Sequence, residues 1–154
     1  MEQGTVRNTA TTTLRLSGDY RGNLVAIEGM QDIPFSVSRV YFITNVPEGQ
    51  RRGYHAHRAL EQLLLCPHGS VKILLDDGER SEVVVLDSAS KGLYVGPMVW
   101  REMFDFSKGS VLLVLASEHY NPSDYEKDYG RFKEEAQLYY QGRLETRCRF
   151  LSPP

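Results

Sequence analysis

Short apolar runs recur along residues 22 to 117, and they predict an all-β fold. Each run is rich in Val, Ile, Leu, Tyr and Phe, and Gly, Pro, Asp or Asn separates it from the next. This spacing is typical of a β-sandwich or barrel, whereas strands alternating with helices would favour a parallel sheet. The predicted strands are Asn23–Glu28, Val37–Thr44, Leu60–Cys66, Ser70–Leu75, Ser81–Leu86, Leu93–Val95, Val99–Phe104 and Val111–Ser117.

Two neighbouring runs predict a hairpin over Ser70–Leu86. The segment Asp76-Asp77-Gly78 between them supplies residues that tolerate a positive φ. Because side chains alternate along a strand, each arm is expected to have a core side. The expected core residues are Val71, Ile73 and Leu75 on the first arm and Val83 and Val85 on the second.

The composition changes after Ser117 and predicts a C-terminal helix. Asn121-Pro122-Ser123-Asp124 interrupts the strands and ends in a capping residue, and Tyr125–Gln141 is rich in Glu, Lys, Tyr and Leu. Gly130 weakens the middle of this helix, and the last dozen residues are expected to form a loosely ordered tail. The sequence therefore predicts one domain over residues 1–154, with a barrel over about 11–118 and a helix and tail over about 122–154.

Length, composition and charge indicate one globular domain and argue against a nucleic-acid or membrane partner. With 154 residues, 41% of them hydrophobic and 25% charged, the chain has the size and composition of one globular domain. Eighteen basic and 20 acidic residues give a formal charge of -2, so nucleic acid is not an expected partner. The apolar runs are all shorter than the roughly 18 residues of a membrane span, so no membrane partner is expected.

The cysteines and the N-terminal segment predict a cytoplasmic protein with reduced thiols. Cys66 and Cys148 match no paired metal-binding spacing. Cys66 directly follows three leucines, so it is expected to be a small buried hydrophobic residue. The first residues lack the basic and then apolar pattern of a signal peptide.

The densest group of polar residues lies at 49–61, GQRRGYHAHRALE. His55 and His57 are two residues apart, so on a strand their imidazoles point to one face and, in a barrel, into the interior. The spacing Gly-x5-His-x-His-x3-Glu, which ends at Glu61, resembles the first motif of the cupins. Imidazole and carboxylate suit iron, manganese, nickel or zinc, so a metal site is one interpretation.

The second cupin motif normally supplies another histidine ligand, and this chain departs from it. The segment 92–103, GLYVGPMVWREM, has Pro97 but Glu102 where that histidine is expected. The departure favours a site that needs no metal, in which Glu61 orients a histidine. A metal-dependent cupin oxygenase or isomerase that uses His55, His57, Glu61 and Glu102 is the alternative.

An ordered series of longer segments goes beyond this histidine pattern. The segments are RVYFI from Arg39, RGYHAH from Arg52, LEQ from Leu60, LDDG from Leu75, KGLYVGPMVWREM from Lys91, the run Leu112–Ser117, Tyr120 and Asp124-Tyr125. Together they resemble the sugar 3,4-ketoisomerases, small cupins that act on dTDP-4-keto-6-deoxyglucose in the biosynthesis of deoxyamino sugars. The resemblance extends over about residues 35–132 and does not explain the tail after Phe132.

This resemblance implies a fold, a substrate and an assembly. The implied fold is a cupin-type antiparallel β-barrel, or jelly roll, and the implied partner is a dTDP-linked keto sugar. The family resemblance also implies a homodimer, often with strands exchanged between the subunits, and no required metal or cofactor.

The reaction moves a keto group from carbon 4 to carbon 3 through an enediol, so a proton must leave carbon 3 and another must reach carbon 4. Histidine suits both steps because its ordinary pKa, about 6.5, lets it accept and donate a proton near neutral pH. His55 and His57 are the predicted proton carriers, with His55 as the first choice for the base. Arg39 and Tyr41, on one face of the preceding strand, are predicted to stabilise the enediolate.

The nucleotide needs a cationic contact for its pyrophosphate and an apolar platform for thymine. Arg52 and Arg101 are predicted for the first role because arginine presents a planar fork of donors to phosphate. Trp100, the only tryptophan, is predicted for the second, with a buried core position as its alternative. The sequence also leaves open a noncatalytic nucleotide-sugar binding module, and it does not reveal whether the product is the galacto or the gluco sugar at carbon 4.

Overall fold

The computed structural model describes residues 1–147, with side chains described as far as residue 142. No helix in this part of the chain is long and apolar enough to cross a membrane. A 3-10 turn covers Pro122–Asp124. The strands are β1 Glu2–Gln3, β2 Thr9–Thr13, β3 Leu16–Asp19, β4 Gly22–Val25, β5 Arg39–Thr44, β6 Arg52–His57, β7 Gln62–His68, β8 Val71–Asp76, β9 Ser81–Leu86, β10 Lys91–Val95, β11 Trp100–Phe104, β12 Val111–Ala116 and β13 Tyr125–Glu126, and the helix is α1 Tyr129–Arg147.

Two antiparallel sheets form the body of the protein. The six-stranded sheet has the order β1-β2-β10-β7-β12-β5, and the five-stranded sheet has the order β13-β6-β11-β8-β9. Strands β3 and β4 form a separate hairpin. The predicted all-β antiparallel fold is therefore confirmed, and each predicted strand matches an observed one to within a few residues.

The six-stranded sheet begins earlier in the chain than the predicted barrel boundary near residue 11. Strand β2 pairs with β10 along its whole length, from Thr9 opposite Val95 to Thr13 opposite Lys91. This strand is TATTT, so it lacks an apolar run, although β-branched threonine favours strands. The hydrophobic pattern alone therefore placed the boundary too late.

The space between the sheets is apolar toward one end and polar toward the other. Fully buried side chains fill the apolar part, and Cys66 is among them, as predicted. Inward-facing polar side chains lie at the starts of β5, β7 and β11 and at the end of β6. Strand alternation turns these polar residues toward the barrel interior, and their positions along the strands bring them together at one part of it.

The predicted hairpin is present as β8 and β9, and its first arm buries the expected residues. The prediction for the second arm is wrong, because Val83 and Val85 are 50% and 38% exposed. Ile73 lies opposite Val84 in the observed register. Since residues that lie opposite each other share a face, Val84 is the residue that turns toward the core.

Helix α1 begins at Tyr129, later than the predicted start, because Tyr125–Glu126 pairs with β6 instead. The helix is capped by Asp128, whose side chain accepts a hydrogen bond of 2.8 Å from the backbone N–H of Arg131. Asp124, the capping residue expected from the sequence, is buried next to β6. The capping prediction therefore chose the right residue type at the wrong aspartate.

The end of α1 also differs from the prediction. Gly130 lies in the first turn of the helix and not in its middle, and the helix continues to Arg147, into the predicted tail. The rest of that tail, residues 148–154 with Cys148, lies outside the described residues.

One face of α1 covers the outer surface of the five-stranded sheet. Phe132, Ala136 and Tyr140 are spaced by four residues and are buried against Trp100 and Met98. Tyr140 also donates a 2.9 Å hydrogen bond to the backbone carbonyl of Met98. This face anchors the helix to the barrel.

We predict that Phe132→Ala lowers the free energy of unfolding by about 3–5 kcal/mol, because a fully buried ring leaves a cavity. Leu138→Ala on the same helix is the matched control: Leu138 is 70% exposed, so its replacement should cost less than about 0.5 kcal/mol. Urea unfolding followed by circular dichroism measures both values. Equal losses for the two variants would contradict the packing of this face.

Candidate active site

Six polar side chains meet inside the polar part of the barrel, although the sequence spreads them over 63 residues. A chain of hydrogen bonds joins the two sheets: Arg101 donates from Nη1 to Oε1 of Gln62 at 3.0 Å, and Gln62 donates from Nε2 to the hydroxyl of Tyr41 at 2.9 Å. The six are Arg39, Tyr41, His55, His57, Gln62 and Arg101.

The two histidines lie on one face of β6, as predicted. Their ring centroids are 4.8 Å apart and their planes are nearly perpendicular, at 85°. His57 is 1% exposed, whereas His55 is only partly buried. The ring of Tyr125 packs against both imidazoles, at 5.0 Å from His55 and 4.3 Å from His57.

A buried carboxylate orients His57. Nδ1 of His57 lies 2.9 Å from Oδ2 of Asp124, and the other carboxylate oxygen accepts a 2.8 Å hydrogen bond from the backbone N–H of Ala59. An ionised carboxylate can only accept, so Nδ1 of the neutral imidazole carries the proton and donates it to Asp124. Nε2 of His57 is then the acceptor nitrogen.

The surroundings keep both histidines neutral. Burial, and then the positive charge of Arg101, lower the pKa of His55 to about 4. The same two causes, in the same order, lower the pKa of His57 below its usual value. Burial also lowers the pKa of Arg101, to about 10, which leaves its guanidinium charged at neutral pH. The site therefore combines two neutral bases with one buried cation.

Arg101 is fully buried, and two of its donors are unused. Its Nε and Nη2 atoms have no hydrogen-bond partner among the described residues. The sequence predicts a pyrophosphate contact for this side chain, and the structure places it in the barrel interior, opposite His55 on the neighbouring strand.

Arg39 and Tyr41 share one face of β5, as their spacing predicted. The guanidinium carbon of Arg39 lies 5.3 Å from the centroid of the Tyr41 ring and 5.7 Å from that of Tyr120. The Nε atom of Arg39 is buried without a hydrogen-bond partner in the described chain. Burial raises the pKa of Tyr41, so its hydroxyl keeps its proton and can donate it.

Glu61 does not have the position that the sequence suggested. Its carboxylate accepts a 2.5 Å hydrogen bond from the hydroxyl of Tyr94. Glu61 directly precedes β7, whose neighbour β10 carries Tyr94, whereas the histidines lie on β6 in the other sheet. The carboxylate that meets a histidine is that of Asp124, so the orienting role predicted for Glu61 belongs to Asp124.

The four ligands of the metal-dependent alternative do not gather at one point. Glu102 accepts hydrogen bonds from Arg51 at 3.0 Å and from the indole N–H of Trp100 at 3.2 Å. The described residues contain no group of three or more His, Cys, Asp or Glu side chains that could hold a metal ion.

Trp100 is a core residue and not an open stacking platform. It is 5% exposed, and its ring lies 5.6 Å from that of Phe132 and 5.2 Å from that of Tyr129. Because side chains alternate along β11, Trp100 faces the helix while Arg101 faces the barrel interior. Arg52, the other predicted phosphate contact, is exposed at the start of β6.

Three residues of the site were not singled out by the chemical reading of the sequence: Gln62, Asp124 and Tyr125. Tyr125 lies opposite His57 because β13 pairs with β6, and this contact joins residues far apart in the chain. The signal that could have found them is the family resemblance, since all three lie in the resembling segments LEQ and Asp124-Tyr125.

Comparison with known proteins gives a family match over most of the chain. A family model described as FdtA: WxcM-like, C-terminal matches residues 7–137. The chain is also 51% identical, over 116 residues, to the TDP-4-oxo-6-deoxy-alpha-D-glucose-3,4-oxoisomerase of Aneurinibacillus thermoaerophilus. That alignment covers 75% of this chain and 84% of the relative.

Solved structures give the same result. The crystal structure of QdtA, a sugar 3,4-ketoisomerase from Thermoanaerobacterium thermosaccharolyticum in complex with TDP, is 46% identical with a TM-score of 0.86, covering 88% of this chain and 99% of that one. A histidine-to-asparagine variant of QdtA in complex with TDP-4-keto-6-deoxyglucose is 44% identical with a TM-score of 0.85, covering 96% of this chain and 100% of that one. The resemblance seen in the sequence is thereby confirmed.

The lowered pKa values predict a loss of stability in mild acid. The folded chain keeps His55 and His57 neutral, whereas in the unfolded chain they bind protons near pH 6.5. The free energy of unfolding should therefore be highest above pH 6.5 and fall as the pH drops from 6.5 toward 4, by at most about 1.4 kcal/mol per pH unit for each histidine. Urea unfolding at each pH measures this slope.

Two variants identify the residues responsible for this slope. His57→Asn should flatten it, whereas His119→Asn, at an exposed histidine, should leave it as in the wild type. A slope unchanged in His57→Asn would contradict a neutral buried imidazole at that position.

Proposed function

The chain belongs to the FdtA family (WxcM-like, C-terminal), and from this membership we infer that it is a 3,4-ketoisomerase of TDP-4-keto-6-deoxyglucose. Relatives named for this reaction are 51% and 46% identical to it. The observation that carries the proposal is the pair of neutral imidazoles, His55 and His57, with centroids 4.8 Å apart inside the barrel. Neutral imidazoles are the form that can remove a proton from carbon.

In the first step His55 removes the proton from carbon 3 of the sugar. The electron pair of that C–H bond forms the double bond between carbons 3 and 4, and the carbonyl electrons move onto the oxygen at carbon 4. His55 is assigned this role because it is the more exposed of the two histidines, so a ligand entering the barrel reaches it first. Its lowered pKa keeps it in the base form near neutral pH.

The positive interior of the barrel stabilises the resulting enediolate. Arg101 and Arg39 each have buried N–H groups without a partner in the described chain, and Tyr41 keeps a proton that it can donate to a sugar oxygen. Donors that are already fixed in a dry site stabilise developing negative charge without having to reorganise.

In the second step the keto group forms at carbon 3. The hydroxyl at carbon 3 loses its proton, the C=O bond forms there, and the electrons of the enediol double bond take up a proton at carbon 4. His57, whose Nε2 is the acceptor nitrogen, takes the hydroxyl proton from the oxygen at carbon 3 and delivers it to the oxygen at carbon 4, and His55 returns its proton to carbon 4, so both imidazoles end neutral. Substrate and product have the same composition, so no redox cofactor is consumed.

The nucleotide is proposed to lie at the entrance of the barrel. Arg52 is exposed at the start of β6, on the strand that carries the histidines, and a guanidinium there suits a diphosphate. Arg51 is less suited because it already pairs with Glu102 at 3.0 Å.

We predict that His55→Asn and His57→Asn each lower turnover by about 10²- to 10⁴-fold, because asparagine keeps polarity but cannot carry a proton. The rate of formation of the 3-keto sugar, measured by chromatography of the TDP-sugars, gives turnover, and calorimetry gives substrate binding. His119→Asn is the control and should keep the wild-type rate. Near-normal turnover in both folded site variants would contradict the histidine mechanism.

The same assays separate the alternatives. A metal-dependent enzyme would lose activity in EDTA and regain it with a stoichiometric divalent ion, whereas the proposed mechanism gives the same rate before and after chelation. A noncatalytic binding module would bind the TDP-keto sugar in calorimetry and leave it chemically unchanged.

We also propose that the protein is a homodimer, as the family resemblance implied. Strand β5 is the edge of the six-stranded sheet, and its outer side exposes Val40 and Phe42 at 50% and 67%. Leu24 on the separate β3–β4 hairpin is 63% exposed as well. A second copy of the chain is the occupant we assign, because an unpaired edge strand with apolar side chains is a template for pairing with an identical strand.

We predict that Phe42→Lys shifts the protein from dimer to monomer in light scattering at micromolar concentration, because a charge replaces the exposed ring at the sheet edge. Val83→Lys is the matched control: Val83 is 50% exposed on β9, the edge strand of the other sheet, and its replacement should leave the dimer intact. A wild-type monomer, or a Phe42→Lys dimer of unchanged affinity, would contradict this interface.

A further inference from the structure

Strand β6 contains a β-bulge directly before the two histidines. Arg101 on β11 lies opposite His55, and the next residue, Glu102, lies opposite Gly53. Tyr54 is therefore an extra residue with no partner of its own on β11. A bulge of this kind turns the side chains that follow it to the opposite face of the sheet.

The bulge decides which face of the sheet the histidines occupy. In a regular strand that kept the pair Glu102–Gly53, Arg101 would lie opposite Tyr54 and Trp100 would lie opposite His55. Residues that lie opposite each other share a face, so His55 would point outward with Trp100, toward the helix. His57, two residues further, would follow it. The single inserted residue thus turns both imidazoles into the barrel.

The backbone at the bulge has a conformation that most residues resist. Gly53 has φ +94° and Tyr54 has φ +56°, both in the left-handed region. A Cβ atom on Gly53 would lie 2.6 Å from the carbonyl oxygen of Arg101 and 3.2 Å from the Cα atom of Glu102. Position 53 therefore accepts only glycine without a shift of the paired strand.

We propose that Gly53 and Tyr54 are positioning residues of the ketoisomerase. Their bulge places His55 and His57 in the barrel. The kinetic part of this proposal rests on the proposed function, whereas the geometric part does not.

The first test replaces glycine at two left-handed positions. Gly53→Ala should lower kcat by about 100-fold with little change in KM, because a displacement of about 1 Å in a reacting group has that cost. Gly109→Ala is the matched control: Gly109 has φ +74°, and an added Cβ there meets no atom within 4 Å. It should lose only the stability that the left-handed φ costs alanine, and it should keep kcat. A folded Gly53→Ala enzyme with the kcat of Gly109→Ala would overturn the proposal.

The second test stays informative if Gly53→Ala does not fold. Asparagine tolerates the left-handed region and valine resists it, so Tyr54→Val should have a kcat at least about tenfold below that of Tyr54→Asn. Equal turnover in these two folded variants would show that the backbone conformation at Tyr54 does not position the histidines.

A third readout does not depend on activity. A crystal structure of the Tyr54→Val protein should show both imidazoles displaced from the ring of Tyr125, which lies 5.0 Å from His55 and 4.3 Å from His57 in the wild type. Imidazoles that keep their wild-type positions would overturn the proposal. Displaced imidazoles in the variant of a protein that fails to isomerise the keto sugar would contradict the proposed function and leave the role of the bulge intact.

Discussion

The buried guanidinium of Arg101 is the constraint on which the polar part of the barrel depends. It is 0% exposed and donates to the neutral amide of Gln62, not to a carboxylate. A buried charge without a carboxylate partner lowers the stability of the folded protein, so its presence here points to a role in binding or catalysis. Here its positive potential disfavours protonation of both histidines and favours any negative charge that forms beside them. In the proposed mechanism the enediolate is such a charge, so the same residue would keep the bases neutral and stabilise the intermediate that they form.

The two histidines are similar in sequence and different in surroundings. His57 is buried in the barrel and hydrogen-bonded to a carboxylate, whereas His55 is partly exposed and directly follows the bulge. These differences fit the proposed mechanism, in which His55 transfers protons at carbon and His57 transfers protons at oxygen. The hydrogen-bonded chain from Arg101 through Gln62 to Tyr41 connects the two sheets at the polar part of the barrel.

The sequence predicted the strands and the shared face of the histidines because both follow from alternation along a strand. Alternation does not say which face is the inner one, and this explains the error at Val83 and the two alternatives that the sequence left open at Trp100. Val83 lies outside since the register places Val84 opposite Ile73. Trp100 lies under the helix because its neighbour Arg101 takes the inward position.

The roles of Glu61 and Asp124 depended on strand order, which local patterns do not contain. Glu61 lies beside Tyr94 since β7 pairs with β10, and Asp124 reaches His57 because β13 pairs with β6. Proton transfer between carbons 3 and 4 is tested most directly by incubating the wild-type protein with TDP-4-keto-6-deoxyglucose in heavy water and recording proton NMR spectra. The predicted result is loss of the carbon 3 proton signal together with the appearance of a 3-keto sugar, whose couplings give its configuration at carbon 4. A bound sugar that keeps its carbon 3 proton and its 4-keto group would contradict the mechanism.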